Sequence, residues 1–397
     1  MNSSTKLKYL VSLRNEKSSD STLPYIGLEN VQSNTGKYIE ATEMQQPESS
    51  ANLFNTGDIL YGKLRPYLCK AMIAPFDGQC SGELLVFKSV KLRNEYLHQI
   101  LLSHNFTSYV DSTTYGTKMP RANWSDVGEF KIVLPDLQTQ DFIISYLERK
   151  TAQIDSIIAD KEKLIELLKE KRQAIISEAV TRGLDPSVPM KDSGVDWIGQ
   201  IPKHWEMSQS RWLFSLRKDR AFPDDEQLTA SQQLGIVYQK DYMEQGSRVV
   251  QVITGEDILK HVEPNDFVIS MRSFQGGIEW SGLRGKISSA YVMLIPDQRL
   301  VYSPFFKWLL KSDKYIRALQ STSNLVRDGQ ALRYSNFKQV NLPLISLDEQ
   351  EQISNYLDMK TSQIDGLIQD ISSQIVLLKE YRQSIISEAV TGKVAIS

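Results

Sequence analysis

Apolar residues recur at alternating intervals of three and four in two long stretches of the chain. The first stretch runs from Leu147 to Ala179, and the second from Leu357 to Ala389. This spacing, kept over several heptads without proline, is typical of a seam between packed helices. Each helix could run for roughly 40 residues, on the order of 60 Å at 1.5 Å per residue. The predicted apolar seam residues are Leu147, Ile154, Ile158, Ile165, Leu168, Ile175, Leu357, Ile364, Ile368, Ile371, Ile375, Leu378 and Ile385.

The two stretches are copies of one another. Trp124–Thr181 aligns without a gap on Tyr334–Thr391 at a constant offset of 210, with about half of the positions identical. Upstream of these segments the similarity is weaker: LVSLR at Leu10–Arg14 corresponds to LFSLR at Leu213–Arg217. Because neither helix is stable alone, each copy is the obvious partner of the other. We therefore predict an α+β fold in which two similar mixed α/β domains are joined by two long helices, packed as an antiparallel coiled coil with pseudo-two-fold symmetry.

Three seam positions are charged. Lys161 stands where the second copy has Ile371, and Arg172 and Arg382 stand at matching positions. Buried polar residues at a seam can fix register and orientation. Alternatively, such long side chains extend to the edge of the seam and leave their charges in water. The sequence leaves both interpretations open.

Outside the two long helices, the sequence pattern predicts short strands and helices. Strands are predicted at Ile59–Leu64, Glu83–Lys88, Asp266–Met271 and Ala290–Ile295, and helices at Glu95–Tyr109 and Ser303–Gln320. The stretch GLDPSVPMKDSGVDWIGQIPKHWE, rich in proline, glycine and tryptophan, is predicted to be an ordered linker that docks. The predicted organisation is a first variable domain at 1–138, helix one at 139–182, the linker at 183–206, a second variable domain at 207–346, helix two at 347–391 and a tail at 392–397.

Composition places this chain among soluble globular proteins. Its 397 residues are 41% hydrophobic and 24% charged, which is enough for two or three compact units. It has no run of eighteen apolar residues and no secretory signal at Met1–Leu10, so we expect a cytoplasmic protein without a membrane partner. Cys69 and Cys80 fit a reducing compartment, where both are expected to be free thiols.

The overall charge gives no sign of a nucleic-acid partner. The formal net charge is −2, without the basic excess that is typical of proteins that bind phosphate backbones on their own. A DNA-binding role would therefore depend on local basic patches, or on a partner that supplies phosphate contacts.

Catalytic motifs are missing from the sequence. The four histidines, His98, His104, His204 and His261, are not at the i, i+4 spacing of a helical metal site, and the two cysteines do not form a C-x-x-C pair. No phosphate-binding loop or nucleophile elbow occurs. Phe274–Gly277 superficially resembles the glycine-rich loop of methyltransferases but lacks its flanking pattern, and is better explained as a tight turn after a strand. We predict no catalytic residue, no metal site and no cofactor of this chain's own.

Several motifs together resemble one family. These are Gln140 and Gln350 at the helix starts, the KT-QID and IISEAVT blocks of both copies, and the linker sequence. They resemble the specificity (S) subunits of type I restriction-modification systems, the HsdS family, over essentially the whole chain. The variable domains match only in layout.

The resemblance implies a non-catalytic subunit of a type I restriction enzyme and adenine-specific DNA methyltransferase complex. Two target recognition domains would each read one half of a bipartite target in double-stranded DNA. The helix pair would set the spacing of the two halves and dock two methyltransferase (M) subunits, with restriction (R) subunits added in the full complex. S-adenosylmethionine, ATP and Mg would belong to those partners.

Off-seam apolar positions on the two helices are candidates for the face that docks the M subunits. They are Ile157, Leu167, Ile176, Val180, Leu367, Leu377, Ile386 and Val390.

Candidate DNA-contacting residues lie in polar turns near strand ends, because loops on a rigid scaffold often carry recognition. Arg and Lys can discriminate guanine, Gln can discriminate adenine, and Ser serves several bases. Arg65 and Arg272 follow matching strands. The candidates are Lys63, Arg65, Tyr67, Lys118 and Arg121 in the first domain, and Arg272, Ser273, Gln275, Arg284, Lys286, Arg327, Gln330 and Arg333 in the second.

Other functions stay open at this point. The chain could be a protein-interaction scaffold whose coiled coil joins partners without reading sequence. It could also be a silent specificity cassette, because repeated helices favour recombination between variable domains. A stand-alone methyltransferase or nuclease is disfavoured by the missing motifs.

Overall fold

The computed structural model describes residues 4–18, 20, 22–40, 51–116, 118–232, 234–244, 258–322 and 332–393. The chain divides into two compact units, and each long helix contributes one half to each unit. Unit 1 comprises Met1–Lys163 and Ile371–Ser397, and unit 2 comprises Leu164–Asp370. The predicted α+β fold with two similar mixed domains and two long helices is confirmed.

Unit 1 is built on two four-stranded sheets. The first is antiparallel, with strands in the order Val11–Arg14, Leu84–Ser89, Ile59–Gly62 and Ala71–Ile73. The second has the order Lys17–Ser18, Ala51–Phe54, Gly78–Cys80 and Tyr25–Ile26. One-turn 3-10 helices lie at Leu7–Tyr9, Leu28–Asn30 and Pro66–Leu68. The strands are β1 (Ser4–Lys6), β2 (Val11–Arg14), β3 (Lys17–Ser18), β4 (Tyr25–Ile26), β5 (Ala51–Phe54), β6 (Ile59–Gly62), β7 (Ala71–Ile73), β8 (Gly78–Cys80), β9 (Leu84–Ser89) and β10 (Lys131–Val133). The helices are α1 (Asn94–Leu102), α2 (His104–Ser112), α3 (Trp124–Val127) and α4 (Leu137–Arg182), the last continuing into unit 2.

Unit 2 also contains a four-stranded sheet, with strands in the order Phe214–Leu216, Val292–Pro296, Phe267–Ile269 and Glu279–Trp280. Its strands are β11 (Met190–Asp192), β12 (Gln200–Pro202), β13 (Glu206–Gln209), β14 (Phe214–Leu216), β15 (Leu228–Ser231), β16 (Gly235–Tyr238), β17 (Lys260–Val262), β18 (Phe267–Ile269), β19 (Glu279–Trp280), β20 (Gly285–Ile287), β21 (Val292–Pro296) and β22 (Asn341–Leu344). Its helices are α5 (Ser210–Leu213), α6 (Gln239–Glu244), α7 (Ser273–Gly276), α8 (Ser303–Leu309), α9 (Asp313–Ser321), α10 (Tyr334–Phe337) and α11 (Leu347–Val390), the last continuing into unit 1.

The two long helices are antiparallel where they pack. In unit 1, Lys161 of α4 donates a hydrogen bond to Gln374 of α11 at 2.6 Å, and Asp155 meets Arg382, so residue numbers rise on one helix as they fall on the other. In unit 2, Val180 of α4 and Ile353 of α11 share one hydrophobic core. All thirteen predicted seam residues are buried or half-buried, as expected for an apolar helix interface.

Two predicted helices are each split by a serine. Glu95–Tyr109 divides into α1 and α2 at Ser103, whose hydroxyl accepts a hydrogen bond from the Phe106 N–H. Ser303–Gln320 divides into α8 and α9 at Ser312, which accepts from Tyr315 in the same way. The prediction of continuous helices was wrong because each serine caps a new helix instead of continuing the first.

A buried arginine–aspartate pair lies at the same place in both four-stranded sheets. Arg14 Nε donates to Asp58 at 3.0 Å, and Arg217 Nε donates to Asp266 at 2.6 Å. Each aspartate immediately precedes the central strand, β6 or β18, and also accepts a backbone N–H three residues upstream. The weak similarity of LVSLR to LFSLR in the sequence therefore corresponds to an equivalent arginine–aspartate pair in each unit.

The linker at 183–206 packs onto unit 2. The Trp205 side chain is fully buried, and its indole N–H donates to Glu349 at 2.9 Å near the start of α11. The Trp197 indole donates to the Asn341 carbonyl at 3.1 Å.

Candidate nucleic-acid interface

The first candidate surface lies where β6 ends, and we call it patch 1 (Lys63, Arg65, Tyr67, Lys118 and Arg121). Two loops meet here, since the Arg65 N–H donates to the Pro120 carbonyl at 2.8 Å and Leu64 forms an isolated antiparallel bridge with Arg121. The structure therefore brings the loop that carries Lys63, Arg65 and Tyr67 against the loop that carries Lys118 and Arg121.

Arg65 is held in an uncommon backbone conformation. Its φ is 51°, in the left-handed region, and it caps the 3-10 helix Pro66–Leu68. Its side chain is exposed, and Tyr67 beside it is 51% exposed. Left-handed non-glycine residues are strained and often found at functional sites. Arg65 and Tyr67 are thus an exposed cation and an exposed aromatic residue in one strained loop.

Patch 1 carries a net positive charge. Arg121 is paired with Glu83 at 3.1 Å, and hydrogen bonds to that carboxylate raise the pKa of the Arg121 guanidinium. Lys63, Arg65 and Lys118 add three further cations. Exposed Tyr115 and Met119 extend the same loop, and the sequence analysis did not single them out individually although they lie in the stretch that carries Lys118.

Patch 2 is the corresponding set of exposed residues in unit 2: Arg272 and Gln275 at α7, and Arg333 at the N-cap of α10. Arg272 caps α7, just as Arg65 caps the short helix after β6, and both stand three residues beyond the end of the strand. Arg272, Gln275 and Arg333 are all exposed. The Phe274–Gly277 turn was predicted correctly: Gly277, with φ of 80°, ends α7, and a Cβ there would lie 2.4 Å from the Leu310 carbonyl oxygen.

Two other candidates in unit 2 have structural roles. Ser273 is buried, and its hydroxyl accepts the Ser270 N–H at 2.8 Å, which fixes the loop that carries Arg272. Arg284 is engaged by Asp224 at 3.1 Å and Asp225 at 3.4 Å, so neighbouring carboxylates neutralise its charge. We therefore leave both out of patch 2.

The remaining candidates of unit 2 are placed as follows. Lys286 is half-buried on β20, where its N–H donates to the Glu226 carbonyl at 2.8 Å. Arg327 and Gln330 lie outside the described residues.

Two glutamines that sequence comparison placed at the helix starts have a structural role. Gln140 accepts from the Arg93 N–H at 2.9 Å and donates to the Pro135 carbonyl at 3.0 Å. Gln350 makes the matching bonds to the Tyr302 N–H and the Ile345 carbonyl. Both are buried, so each fixes a helix start against the domain that precedes it.

The off-seam apolar residues divide into two groups. The side chains of Ile157, Leu167, Leu367 and Leu377 are 45–62% exposed. Neighbouring Leu164, Val376 and Tyr381 are also exposed. Ile176, Val180, Ile386 and Val390 are buried, so their prediction as part of an exposed docking face was wrong. Near the ends of the helices the mixed α/β domains cover positions that the helix pattern alone leaves open.

Each unit also holds a cleft between its domain and the helices. The cleft of unit 1 measures about 920 Å³ and is lined by residues including Asn34, Asp155 and Arg382. The cleft of unit 2 measures about 790 Å³ and includes Arg172 and Trp308. Within the described ranges, no group of three or more His, Cys, Asp or Glu is arranged to hold a metal ion. No helix in the described part of the chain is both long and apolar enough to span a membrane.

Comparison with known proteins agrees with this architecture. Residues 6–167 match the family described as the type I restriction modification DNA specificity domain. The type I restriction enzyme EcoDI specificity subunit of Escherichia coli is 32% identical over 131 residues, covering 33% of this chain and 29% of that protein. The EcoBI specificity subunit of Escherichia coli is 21% identical over 314 residues, covering 72% and 63%. The match thus spans less than two thirds of the length of each of these relatives.

The fold is shared with a solved structure of the same kind. A chain from a study of complex assembly and conformational transition of the type I R-M system superposes with a TM-score of 0.73 at 18% identity, covering 99% of this chain and 98% of that one. The chain is thus similar to the specificity subunits of type I restriction enzymes, in sequence over the matched ranges and in fold over almost its whole length.

Proposed function

We propose that this chain is the DNA sequence-specificity subunit of a type I restriction-modification complex. Each unit reads one half of a bipartite target in double-stranded DNA. The helix pair sets the spacing of the halves and docks M subunits, which directs adenine methylation and, with R subunits, restriction.

One observation carries this proposal: the same scaffold presents different polar loops in the two units. The buried pairs Arg14–Asp58 and Arg217–Asp266 fix equivalent strands. Each strand leads into an exposed arginine at the cap of a short helix, Arg65 or Arg272. The neighbouring side chains differ, with Tyr67 and Lys118 in patch 1 and Gln275 and Arg333 in patch 2. Equivalent scaffolds with different base-reading groups suit a target whose two halves differ in sequence.

The exposed apolar residues of the helices support the docking of partner subunits. Ile157 and Leu167 on α4, and Leu367 and Leu377 on α11, are each 45% exposed or more. Exposed apolar side chains that recur along a helix are a common sign of a protein interface. M subunits seated there also supply the phosphate contacts that a chain of net charge −2 lacks.

The chemistry belongs to the partners in this proposal. The chain serves as a non-catalytic subunit, and S-adenosylmethionine, ATP and Mg are held by the M and R subunits.

The proposal is tested by selecting DNA from a random pool with the complex of this chain and its M subunit at about physiological salt. The expected result is enrichment of a split motif, two short fixed segments separated by an unspecified spacer of constant length. A matched selection with the M subunit alone should enrich no motif. Uniform recovery of the pool by the complex would contradict the proposal and favour a scaffold that does not read sequence.

A further inference from the structure

A four-residue pattern recurs at the end of the edge strand of the four-stranded sheet in each unit. The sequence is RNEK at 14–17, at the end of β2, and RKDR at 217–220, just after β14. Both segments carry an arginine, a variable residue, a carboxylate and a second cation in that order. The second cations, Lys17 and Arg220, are exposed, and so is Lys218 in unit 2. The two units therefore share an exposed cation at one position of this pattern.

The backbone of unit 1 holds this cation in place. The Glu16 carbonyl accepts the Leu53 N–H at 2.8 Å, and Lys17 pairs antiparallel with Asn52 of β5. The Glu16 carboxylate lies 3.4 Å from Arg14, whose side chain is 15% exposed. Because successive side chains of an extended segment point to opposite sides, Lys17 points away from that carboxylate.

Unit 2 holds Arg220 by matching contacts. The Asp219 carbonyl accepts the His261 N–H at 3.1 Å, and Arg220 forms an antiparallel bridge with Lys260 of β17. The Asp219 carboxylate lies 2.9 Å from Arg217. Arg220 is therefore the counterpart of the unit 1 cation in backbone pairing as well as in sequence.

In unit 1 the pattern lies at the same end of the sheet as patch 1. The strands β2 and β6 flank β9 and both run antiparallel to it, so they end on the same side of the sheet. Arg14 pairs with Val86, and Gly62, where the loop of patch 1 begins, pairs with Leu84. Two strand spacings, about 10 Å, separate β2 from β6. A duplex that lies against patch 1 is therefore within reach of Lys17.

The same relationship holds in unit 2, where β14 and β18 flank β21. Leu216 pairs with Leu294, and Ile269 pairs with Val292, so both strands end near the start of β21. Arg220 and the α7 loop of patch 2 therefore follow strands that end on the same side of the sheet.

We infer that Lys17 and Arg220 are equivalent contacts to the backbone phosphates of duplex DNA, one in each half of the target. The inference rests on the proposed function and separates the residues that position the duplex from those that read it. Phosphate contacts carry no sequence information directly, whereas base contacts must differ where the two halves differ. A cation kept at one place in both units, where the neighbouring loops differ, suits the first role. These contacts add to those that the M subunits supply.

The test measures binding of the complex of this chain and its M subunit to two duplexes. One duplex carries the motif that the complex selects, and the other has the same bases shuffled. Lys17→Gln and Arg220→Gln should each weaken binding to both duplexes by the same factor and leave the selected motif unchanged. Each should also lower the slope of log affinity against log salt concentration by about one. The advantage of wild type over each variant should then be about three- to fourfold larger at about 50 mM than at about 200 mM salt.

Two kinds of control variant accompany this measurement. Lys17→Arg and Arg220→Lys keep the charge and should keep the wild-type slope. Lys91 follows β9 and Arg299 follows β21, so both exposed cations lie at the opposite end of their sheets. Lys91→Gln and Arg299→Gln should leave affinity and slope unchanged.

The outcomes separate this inference from the proposed function. Wild-type affinity and slope in Lys17→Gln and Arg220→Gln would overturn the inference while the proposed function stands, as would an equal loss in Lys91→Gln and Arg299→Gln. A changed motif in either variant would also overturn it, because that residue would then read bases. A wild-type complex that selects no motif would overturn the proposed function and, with it, this inference.

Discussion

Arg382 Nε donates a hydrogen bond to Asp155 at 2.9 Å across the two long helices of unit 1. The same pair recurs 210 residues away, with both partners exchanged between helices, as Arg172 and Asp365 at 3.0 Å in unit 2. The surroundings of the two pairs differ. Arg382 is buried and also donates to the Asn34 carbonyl of the mixed α/β domain, whereas the Arg172 side chain is 28% exposed and lies over the Trp308 ring. The two seam arginines thus pair with an aspartate across the helices in both units, and Arg382 additionally links the helices to its domain.

We predict that the two equivalent arginines contribute unequally to stability. Arg382→Ala leaves Asp155 and the Asn34 carbonyl without this partner and should lower the free energy of unfolding by about 3 kcal/mol. Arg172→Ala removes a more exposed pair and should cost less than about 1 kcal/mol. Chemical denaturation of the full chain measures both. Equal losses would show that burial does not distinguish the two pairs.

The arginine of the LFSLR motif should be a major stabilising residue of unit 2. The side chains of Arg217 and Asp266 are 13% and 2% exposed, so Arg217→Met leaves a nearly buried carboxylate unpaired. We expect a loss of about 3–5 kcal/mol in the free energy of unfolding. Arg299→Met serves as the control, since its side chain is 87% exposed and should change stability little. A chain as stable as wild type after Arg217→Met would refute the role of this pair.

The exposed apolar side chains of the helices should be required for M-subunit binding. Leu167→Glu and Leu377→Glu place a charge on that surface and should weaken association by about tenfold or more, because a desolvated charge is costly at an interface. Thermal stability should change little, since Leu167 is 51% and Leu377 is 62% exposed. Gln363→Glu, at an exposed polar position of α11, is the matched control. Co-purification of M subunit in wild-type amount with both leucine variants would contradict the docking surface.

Both thiols should resist alkylation in the folded chain. Burial raises the pKa of Cys69, and it raises the pKa of Cys80 to about 12. Because the thiolate is the reactive form, only about one Cys80 in ten thousand is ionised at pH 8. Iodoacetamide at pH 8 should therefore modify neither thiol until denaturant is added, after which mass spectrometry should find both modified. Rapid labelling of the native chain would show that one thiol is accessible.

The sequence predicts the long helices well because their spacing is local and regular. Prediction from the sequence fails where contacts between distant residues determine burial or where a helix ends. The helix pattern alone suggests that Ile176 and Ile386 are open, but packing against the domains buries them. The capping roles of Ser103 and Ser312 depend on a hydroxyl bond that hydrophobic spacing does not reveal.

The candidate contact residues show the same difference between features that are local in sequence and those that depend on distant residues. Their positions in loops after strands were enough to select Arg65 and Arg121, which the structure places on adjoining loops. The engagement of Arg284 by Asp224 could not be foreseen, because sixty residues separate them in the chain.

The most direct test of the central claim is modified-base sequencing of DNA from cells that make this chain with its M subunit. Cells carrying the wild-type chain should show methylated adenine in both halves of one split motif, and cells lacking only this chain should show none. Arg65→Ala should relax or abolish recognition of one half, and Arg272→Ala that of the other half. An unsplit motif, methylation that persists without the chain, or two variants that affect the same half would contradict the account in which each unit reads one half of the target.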